Sequence, residues 1–111
     1  MSDPIDEATF DQAAERTLRA LDAALNDIAG LEADLESGIL SIEFYDGVRF
    51  IINSHRAARQ IWMAAGALAW HFGFDAATGT WTAKKTGDEL WSCVDRQVGE
   101  KLGRSLELAR R

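Results

Sequence analysis

The spacing of apolar residues changes at Gly30, from the period of a helix to the period of a strand. Before this glycine, apolar residues recur every three or four positions, which is the spacing of one buried helix stripe. After it, residues 31–36 (LEADLE) alternate strictly between apolar and acidic, which is typical of a strand buried on one face. The helix stripe consists of Phe10, Ala14, Leu18, Leu21, Leu25 and Ile28. The chain is therefore expected to begin with a long helix and to continue directly into a sheet.

Capping residues in the sequence predict where two helices begin and end. Asp3 followed by Pro4 predicts an N-cap and first turn, because proline has no N–H to lose there; this helix should run to about Asp27. A second helix should open on a capping box made by Thr86 and Glu89. Its apolar stripe and its C-terminal stop are predicted to be Leu90, Trp91, Val94, Val98, Leu102 and Gly103.

Between the helices, the sequence predicts strands joined by tight turns. Residues 39–45 continue the alternation, and Asp46-Gly47 is a strong hairpin signal before residues 48–53. The inward positions of these two strands are Leu40, Ile42, Phe44, Val48, Phe50 and Ile52. A polar loop at 54–60 should precede further strands at 61–65, 69–74 and 80–84. We predict an α+β two-layer sandwich, in which two terminal helices cover one face of a five- to six-stranded antiparallel meander and the other face is open to water.

The bulk properties indicate one small domain spanning residues 1–111. The chain has 111 residues, 47% of them hydrophobic, which is enough for one core and too little for two. Its first ten residues resemble neither a signal peptide nor a transit peptide, and no stretch has the length of a membrane span. The lone Cys93 excludes an internal disulfide and fits a small packed thiol. We expect a cytoplasmic protein that does not contact membranes.

Charge is divided unevenly along the chain. Residues 1–46 hold twelve acidic and two basic residues, whereas residues 47–111 hold six acidic and ten basic ones, for a net charge of −6. Crowded carboxylates repel one another unless a cation or a basic partner compensates them, and an acidic chain is a poor ligand for nucleic acid.

Helix-edge and outward strand carboxylates could together form one continuous negative surface, which we call the acidic ridge. Oxygen ligands of this kind suit Fe²⁺, Mn²⁺, Ca²⁺ or Mg²⁺, bound weakly because the surface is solvated. The competing interpretation is an ordinary solvated face of the protein. The predicted ridge consists of Asp11, Glu15, Asp22, Asp27, Glu32 and Asp34.

The open sheet face offers a second candidate surface around Trp62. If Ile61 faces the core, alternation places Trp62 outward, where an exposed tryptophan resembles a hot spot for another protein. The alternative is a buried Trp62 with Ile61 outside, and the pattern alone does not decide between them. The predicted partner-binding residues are Asn53, Trp62, Ile51 and Glu43. Surface or structural roles are expected for His55 and His71.

Residues 38–53 (GILSIEFYDGVRFIIN), followed by QIWMAA, WHFGF and TGDELW, resemble the frataxin family, in particular its bacterial CyaY-type members. The resemblance spans about residues 5–103, and Asn53 with Gln60-Ile61-Trp62 is its most specific part. It implies the same helix, meander, helix fold. It also implies a small protein of iron–sulfur cluster assembly that binds ferrous and ferric iron and docks on the cysteine desulfurase near the scaffold protein. The positions that match the family's ridge are Asp11, Asp22, Asp27, Glu32 and Asp34.

The leading hypothesis is thus a non-enzymatic iron-binding regulator or iron donor, monomeric but able to oligomerise with iron. One alternative is an iron-oxidising or iron-storage protein that uses clustered carboxylates, for which weak ferroxidase activity would be expected. Another is an interaction module that uses the sheet face and binds no metal. Other divalent cations could replace iron, because exposed carboxylates discriminate poorly between metals.

Overall fold

The computed structural model describes residues 5–108 of the chain as two helices and a six-stranded sheet. The elements in chain order are α1 (Glu7–Asn26), β1 (Leu31–Glu36), β2 (Ile39–Phe44), β3 (Arg49–His55), a 3₁₀ turn (Arg56–Ala58), β4 (Gln60–Ala65), β5 (Leu68–Asp75), β6 (Thr80–Thr82) and α2 (Leu90–Leu102). The predicted order of helix, strands and helix is confirmed.

The start of each helix differs from the prediction. Asp3 and Pro4 lie outside the described residues, and α1 begins later, with Asp6 as its N-cap, where the Asp6 carboxylate accepts a 2.7 Å bond from the Thr9 amide. In α2, Glu89 is itself the N-cap, so the prediction of Thr86 in that position was wrong. A glutamate can replace a shorter cap here because its two oxygens accept from the first free helical amides.

The six strands pair antiparallel in sequence order, so the predicted meander is confirmed. Tight turns join them, and β3 and β4 extend into the segment predicted as a loop, which shortens to the 3₁₀ turn. Leu40, Ile42 and Phe50 face the core as predicted, but Val48 is 39% exposed, because it precedes β3 and belongs to the turn. The register places residues of one face in rows across the sheet, which determines the surfaces described below.

Both helices pack on the same face of the sheet and share one core with its inward side chains. Trp81 on β6 is 2% exposed, and its indole N–H donates to the Thr17 hydroxyl of α1 at 3.0 Å. Cys93 on α2 is fully buried, which agrees with the packed thiol expected from the sequence, and burial raises its pKa to about 11. The opposite face of the sheet carries no helix in the described part of the chain, so its side chains are available to a partner.

Neither of the described helices combines the length and the apolarity that a membrane crossing requires.

Candidate functional site: the acidic ridge and the Trp62 stack

The helical part of the acidic ridge follows one edge of α1. Asp11, Glu15 and Asp22 border a groove whose other wall includes Ser37 and Gly38 of the β1–β2 turn. A rise of 1.5 Å per residue places Asp11 and Asp22 about 16 Å apart along the helix axis. These three carboxylates therefore lie in a row and do not converge on one point.

Two of the helical carboxylates have arginine partners. Arg56, in the 3₁₀ turn after β3, places a guanidinium nitrogen 3.1 Å from Asp11, and Arg19 places one 2.8 Å from Glu15. All four side chains are more than one-third exposed, so each pair contributes at most about 1 kcal/mol to stability. Their main effect is electrostatic, because they offset the negative charge of this half of the ridge.

Asn26 links the helical part of the ridge to β1. Its amide group donates to the Asp22 carboxylate at 3.0 Å, and its side-chain oxygen accepts from the Ala33 amide at 3.3 Å. This bridge holds the end of α1 against β1. Asp27 is the C-cap residue of α1, where the helix dipole already disfavours negative charge.

The strand part of the ridge is more exposed and lacks such compensation. Glu32 and Asp34 point away from the helices on β1, and in the part of the chain that the structure describes no basic side chain forms an ion pair with either of them. In the register, Glu32 lies directly opposite Glu43, which itself pairs with Arg49 at 3.8 Å. Like charges opposite each other across two strands are destabilising, and a bound cation would relieve this repulsion.

The ridge does not form a closed metal site. Within residues 5–108, no three histidine, cysteine or acidic side chains converge closely enough to enclose an ion. A hard cation would therefore be held by one or two carboxylates and would keep most of its water ligands. The donor chemistry suits Fe²⁺ and similar ions, and the arrangement favours weak, exchangeable binding.

The two interpretations of Trp62 are resolved by its neighbour. Ile61 is fully buried, so Trp62 lies on the open face, where it is half-buried. Its indole ring is stacked between two imidazoles, with the His55 ring 3.9 Å away and the His71 ring 4.1 Å away, both within 13° of parallel. The indole N–H also donates to the Gln60 side-chain oxygen at 2.8 Å. We call His55, Trp62 and His71 the Trp62 stack.

Sequence reasoning predicted surface or structural roles for the two histidines and did not place them beside Trp62. The strand register places both histidines beside Trp62. His71 on β5 lies directly opposite Trp62, and His55 on β3 lies opposite Gln60, the outward residue that precedes Trp62 on β4. The sequence predicted a loop over residues 54–60, and such a loop would leave His55 and Gln60 outside the paired strands.

The other predicted partner-binding residues lie on the same open face. Asn53 is opposite Trp62 on β3, is half-buried, and donates from its amide to the Ser54 carbonyl at 3.3 Å. Ile51 is half-buried one row nearer the ridge, between Ser41 and Ala64. Glu43 lies at the ridge end of the face. The open face thus runs from acidic strand residues to a central polar and aromatic patch.

A lysine–aspartate pair lies next to the ridge. Lys101 of α2 donates to Asp46, in the β2–β3 turn, at 2.6 Å. This bond, assisted by the Val48 amide, lowers the pKa of the Asp46 carboxyl. The pair ties α2 to the hairpin that carries Glu43.

Three comparisons show which known proteins this chain is similar to. The model of the frataxin-like domain matches residues 3–104. The iron–sulfur cluster assembly protein CyaY of Thioalkalivibrio sulfidiphilus is 34% identical over 103 residues, covering 90% of this chain and 96% of that protein. The protein of the same name from Pseudomonas putida is 32% identical and covers 93% and 94%.

Solved structures share the fold. A frataxin from Psychromonas ingrahamii superimposes with a TM-score of 0.86 at 19% identity, covering 96% of this chain and all of that one. A trimeric frataxin from the yeast Saccharomyces cerevisiae superimposes with a TM-score of 0.63 at 18% identity, covering 94% and 85%. The predicted two-layer sandwich is therefore confirmed.

Proposed function

This chain belongs to the frataxin-like family, and we propose that it acts in iron–sulfur cluster assembly as an iron-binding regulator or iron donor. Its relatives at more than 30% identity carry the name of iron–sulfur cluster assembly proteins and match nearly its full length. The observation that carries the proposal is the uncompensated strand half of the ridge, where Glu32 and Asp34 are exposed without basic partners in the described chain. Such a surface attracts cations and basic proteins alike.

Iron is the cargo in this proposal and is held loosely. One or two exposed carboxylates can bind a hard divalent ion while water fills the remaining positions. Loose binding suits a donor, because the ion must leave for an acceptor site. It also means that Mn²⁺ and other divalent ions compete with iron.

The proposed partners are a cysteine desulfurase and the iron–sulfur scaffold protein. The ridge would attract a basic surface of the desulfurase over long range, and the Trp62 stack with Asn53 would make the directional contact. The stack supports this role because three parallel rings and the indole hydrogen bond limit the motion of Trp62 before binding. A contact residue that is already ordered loses less entropy on association.

A calorimetric titration of the desulfurase with this protein tests the docking part of the proposal. We expect binding at low ionic strength that weakens steeply as salt is added, because the ridge attraction is screened. Replacing both Glu32 and Asp34 by their amides should weaken binding and flatten the salt dependence, whereas Glu107→Gln, an exposed acid after α2, serves as the control. Absence of binding at low salt would contradict the proposal.

Titration with Fe²⁺ under anaerobic conditions tests the iron part. Paramagnetic broadening in a ¹⁵N spectrum should begin at Glu32 and Asp34 and spread to Asp22 and Asp27. Addition of the desulfurase should then perturb Asn53 and the indole signal of Trp62. Sustained oxygen consumption after admission of air would instead favour an iron-oxidising protein, and unchanged spectra would favour an interaction module without metal.

A further inference from the structure

A groove opens on the solvent face of the sheet beside the Trp62 stack. Gly73 on β5 forms its floor, with Gln60 on β4 on one side and Thr82 on β6 on the other. Its volume is about 510 Å³, which falls in the range of sites that hold a sizeable ligand or a short peptide segment. The groove lies four strands from β1, about 19 Å across the sheet from the ridge.

The glycine at the floor is required by neither the backbone nor the packing. Gly73 does not have a positive φ, unlike the turn glycines of this chain, and a Cβ atom added to it would meet nothing within 4 Å. A glycine inside a strand weakens that strand and often marks a place where a ligand or another backbone approaches closely. The open floor therefore indicates an occupant.

The groove is basic, although the chain as a whole carries a net charge of −6. Lys84 and Lys85, just after β6, line it and are exposed, and among the residues that the structure describes neither forms an ion pair. Arg59, just before β4, lines the other side; its guanidinium forms an ion pair with Glu7 at 3.7 Å and donates to the Arg56 carbonyl. One carboxylate, Asp75, also borders the groove, and it accepts a bond from the Ala77 amide.

We propose that this basic groove binds an extended acidic peptide segment of a partner protein. The segment's main chain would pass over Gly73, with one carboxylate on Lys84 or Lys85 and another on Arg59. Arg59 precedes β4 and the two lysines follow β6, and these two strands flank β5 at two strand spacings, about 10 Å. Carboxylates two or four residues apart point to the same side of an extended chain and lie about 7 or 13 Å apart, which brackets this separation. Cationic groups on both sides of β5 therefore favour a peptide with two carboxylates over a single small anion.

The partner segment gains specificity from polar groups at the groove walls. The Gln60 side-chain oxygen accepts from the Trp62 indole, which leaves its amide N–H groups to bond a peptide carbonyl. Thr82, on the opposite wall, is half-buried and carries a hydroxyl group. This inference does not depend on the role of the ridge, because it uses a different part of the sheet and the opposite sign of charge.

Fluorescence polarisation with a labelled hexaglutamate peptide tests the proposal on the full chain. We expect saturable binding at low ionic strength, and Lys84→Glu should weaken it about tenfold, since the reversal replaces an attraction by a repulsion of similar size. The matched control is Arg16→Glu, an exposed arginine on the helix layer that makes the same change in net charge and should shift the affinity less than twofold.

The variant Gly73→Val separates groove binding from general attraction, because it fills the floor without changing any charge. It should lose saturable binding while unfolding at nearly the same temperature; if it does not fold, Gly73→Ala, whose methyl group meets nothing within 4 Å, replaces it. The proposal is overturned if the original chain shows no saturable binding, if the Gly73 variant binds as tightly, or if Arg16→Glu matches Lys84→Glu. It is equally overturned if a neutral glycine–serine hexapeptide binds as well, or if inorganic phosphate displaces the probe at micromolar concentration.

Discussion

The acidic ridge and the Trp62 stack lie on connected surfaces, but they hold their side chains in different ways. The ridge spreads its carboxylates along a helix edge and a strand, and its internal pairs, such as Arg19 with Glu15, are exposed. The stack fixes Trp62 between two rings about 4 Å away and bonds its indole N–H. Spread charge acts over a long range and is weakened by salt, whereas an ordered aromatic residue acts only on contact. We therefore propose that the ridge provides attraction to a partner and the stack provides recognition.

The ridge itself has two unequal halves. On α1, Arg56 and Arg19 lie within 3.1 Å and 2.8 Å of ridge carboxylates, and on β1 Glu32 and Asp34 have no such partner among the described residues. A cation should therefore meet the strand half first.

The largest expected change is the loss of affinity for the desulfurase caused by Trp62→Ala. If Trp62 is the central contact, the affinity for the desulfurase should fall about thirtyfold or more, which corresponds to the loss of ~2 kcal/mol typical of a hot spot. Calorimetry measures the loss. Tyr45→Ala is the control, because Tyr45 is 87% exposed and lies away from the stack. Equal losses in both variants would show that Trp62 is not the centre of the interface.

The second effect concerns association kinetics. Reversing both strand charges, Glu32→Lys with Asp34→Lys, should slow association with the desulfurase about tenfold at low salt and leave dissociation nearly unchanged. Stopped-flow measurements at several salt concentrations would record this. Trp62→Ala should behave in the opposite way, with faster dissociation and an unaltered salt dependence. If both variants change the same rate constant, attraction and recognition are not separated.

The third effect sharpens the contrast within the ridge. Arg56→Gln removes the partner of Asp11 and should raise the affinity for Mn²⁺ by about two- to fivefold, the equivalent of an exposed pair worth ~0.5–1 kcal/mol. Water-proton relaxation measures bound Mn²⁺. Arg16→Gln makes the same change in net charge on α1, the helix that carries Asp11, and no ion pair of Arg16 is found within the described residues. An equal rise in both variants would mean that the pairing has no effect on cation binding.

The smallest expected change is in the free energy of unfolding. It distinguishes a carboxylate that stabilises the fold, Asp46, from the carboxylates of the ridge. The Lys101 bond lowers the pKa of Asp46 in the folded state, so its contribution to stability is present above the ordinary value of about 3.9 and is lost as the pH falls through the lowered value. Asp46→Asn should therefore reduce the free energy of unfolding slightly at pH 7 and not at pH 2. Urea unfolding at the two pH values checks this.

Glu32→Gln is the matching ridge variant for that experiment. It should not destabilise the protein at pH 7, because it removes a like charge opposite Glu43. A loss of stability at pH 7 equal to that of Asp46→Asn would contradict the view that this part of the ridge serves binding rather than folding.

Local pattern predicted most of the fold. The change of period at Gly30 and the Asp46-Gly47 turn were sufficient to predict α1 and the first three strands, because burial on one face leaves a periodic trace in the sequence. Predictions that depended on end groups were weaker. Asp6 caps α1 and Glu89 caps α2, because several nearby polar residues can serve as caps and packing selects among them.

The sequence pattern alone was not sufficient to predict the candidate surfaces. Alternation placed Glu32 and Asp34 on the outward face of β1, and the structure agrees. The sequence could not show that Arg56, 45 positions away, lies against Asp11, since the contact depends on the turn after β3 folding back beside α1. The basic groove around Gly73 also depends on contacts between distant segments, because residues beside β4, β5 and β6 line it together.

Residue type and spacing were enough to specify the element order, the inward side of the central strands and the acidic character of the first half, because each of these is a local property. The folded chain was needed to show which charges are compensated, where His55 and His71 lie relative to Trp62, and that an open basic groove exists at Gly73. These features depend on strand register and on contacts between residues far apart in the chain. They arise only when the sheet and the helices are assembled.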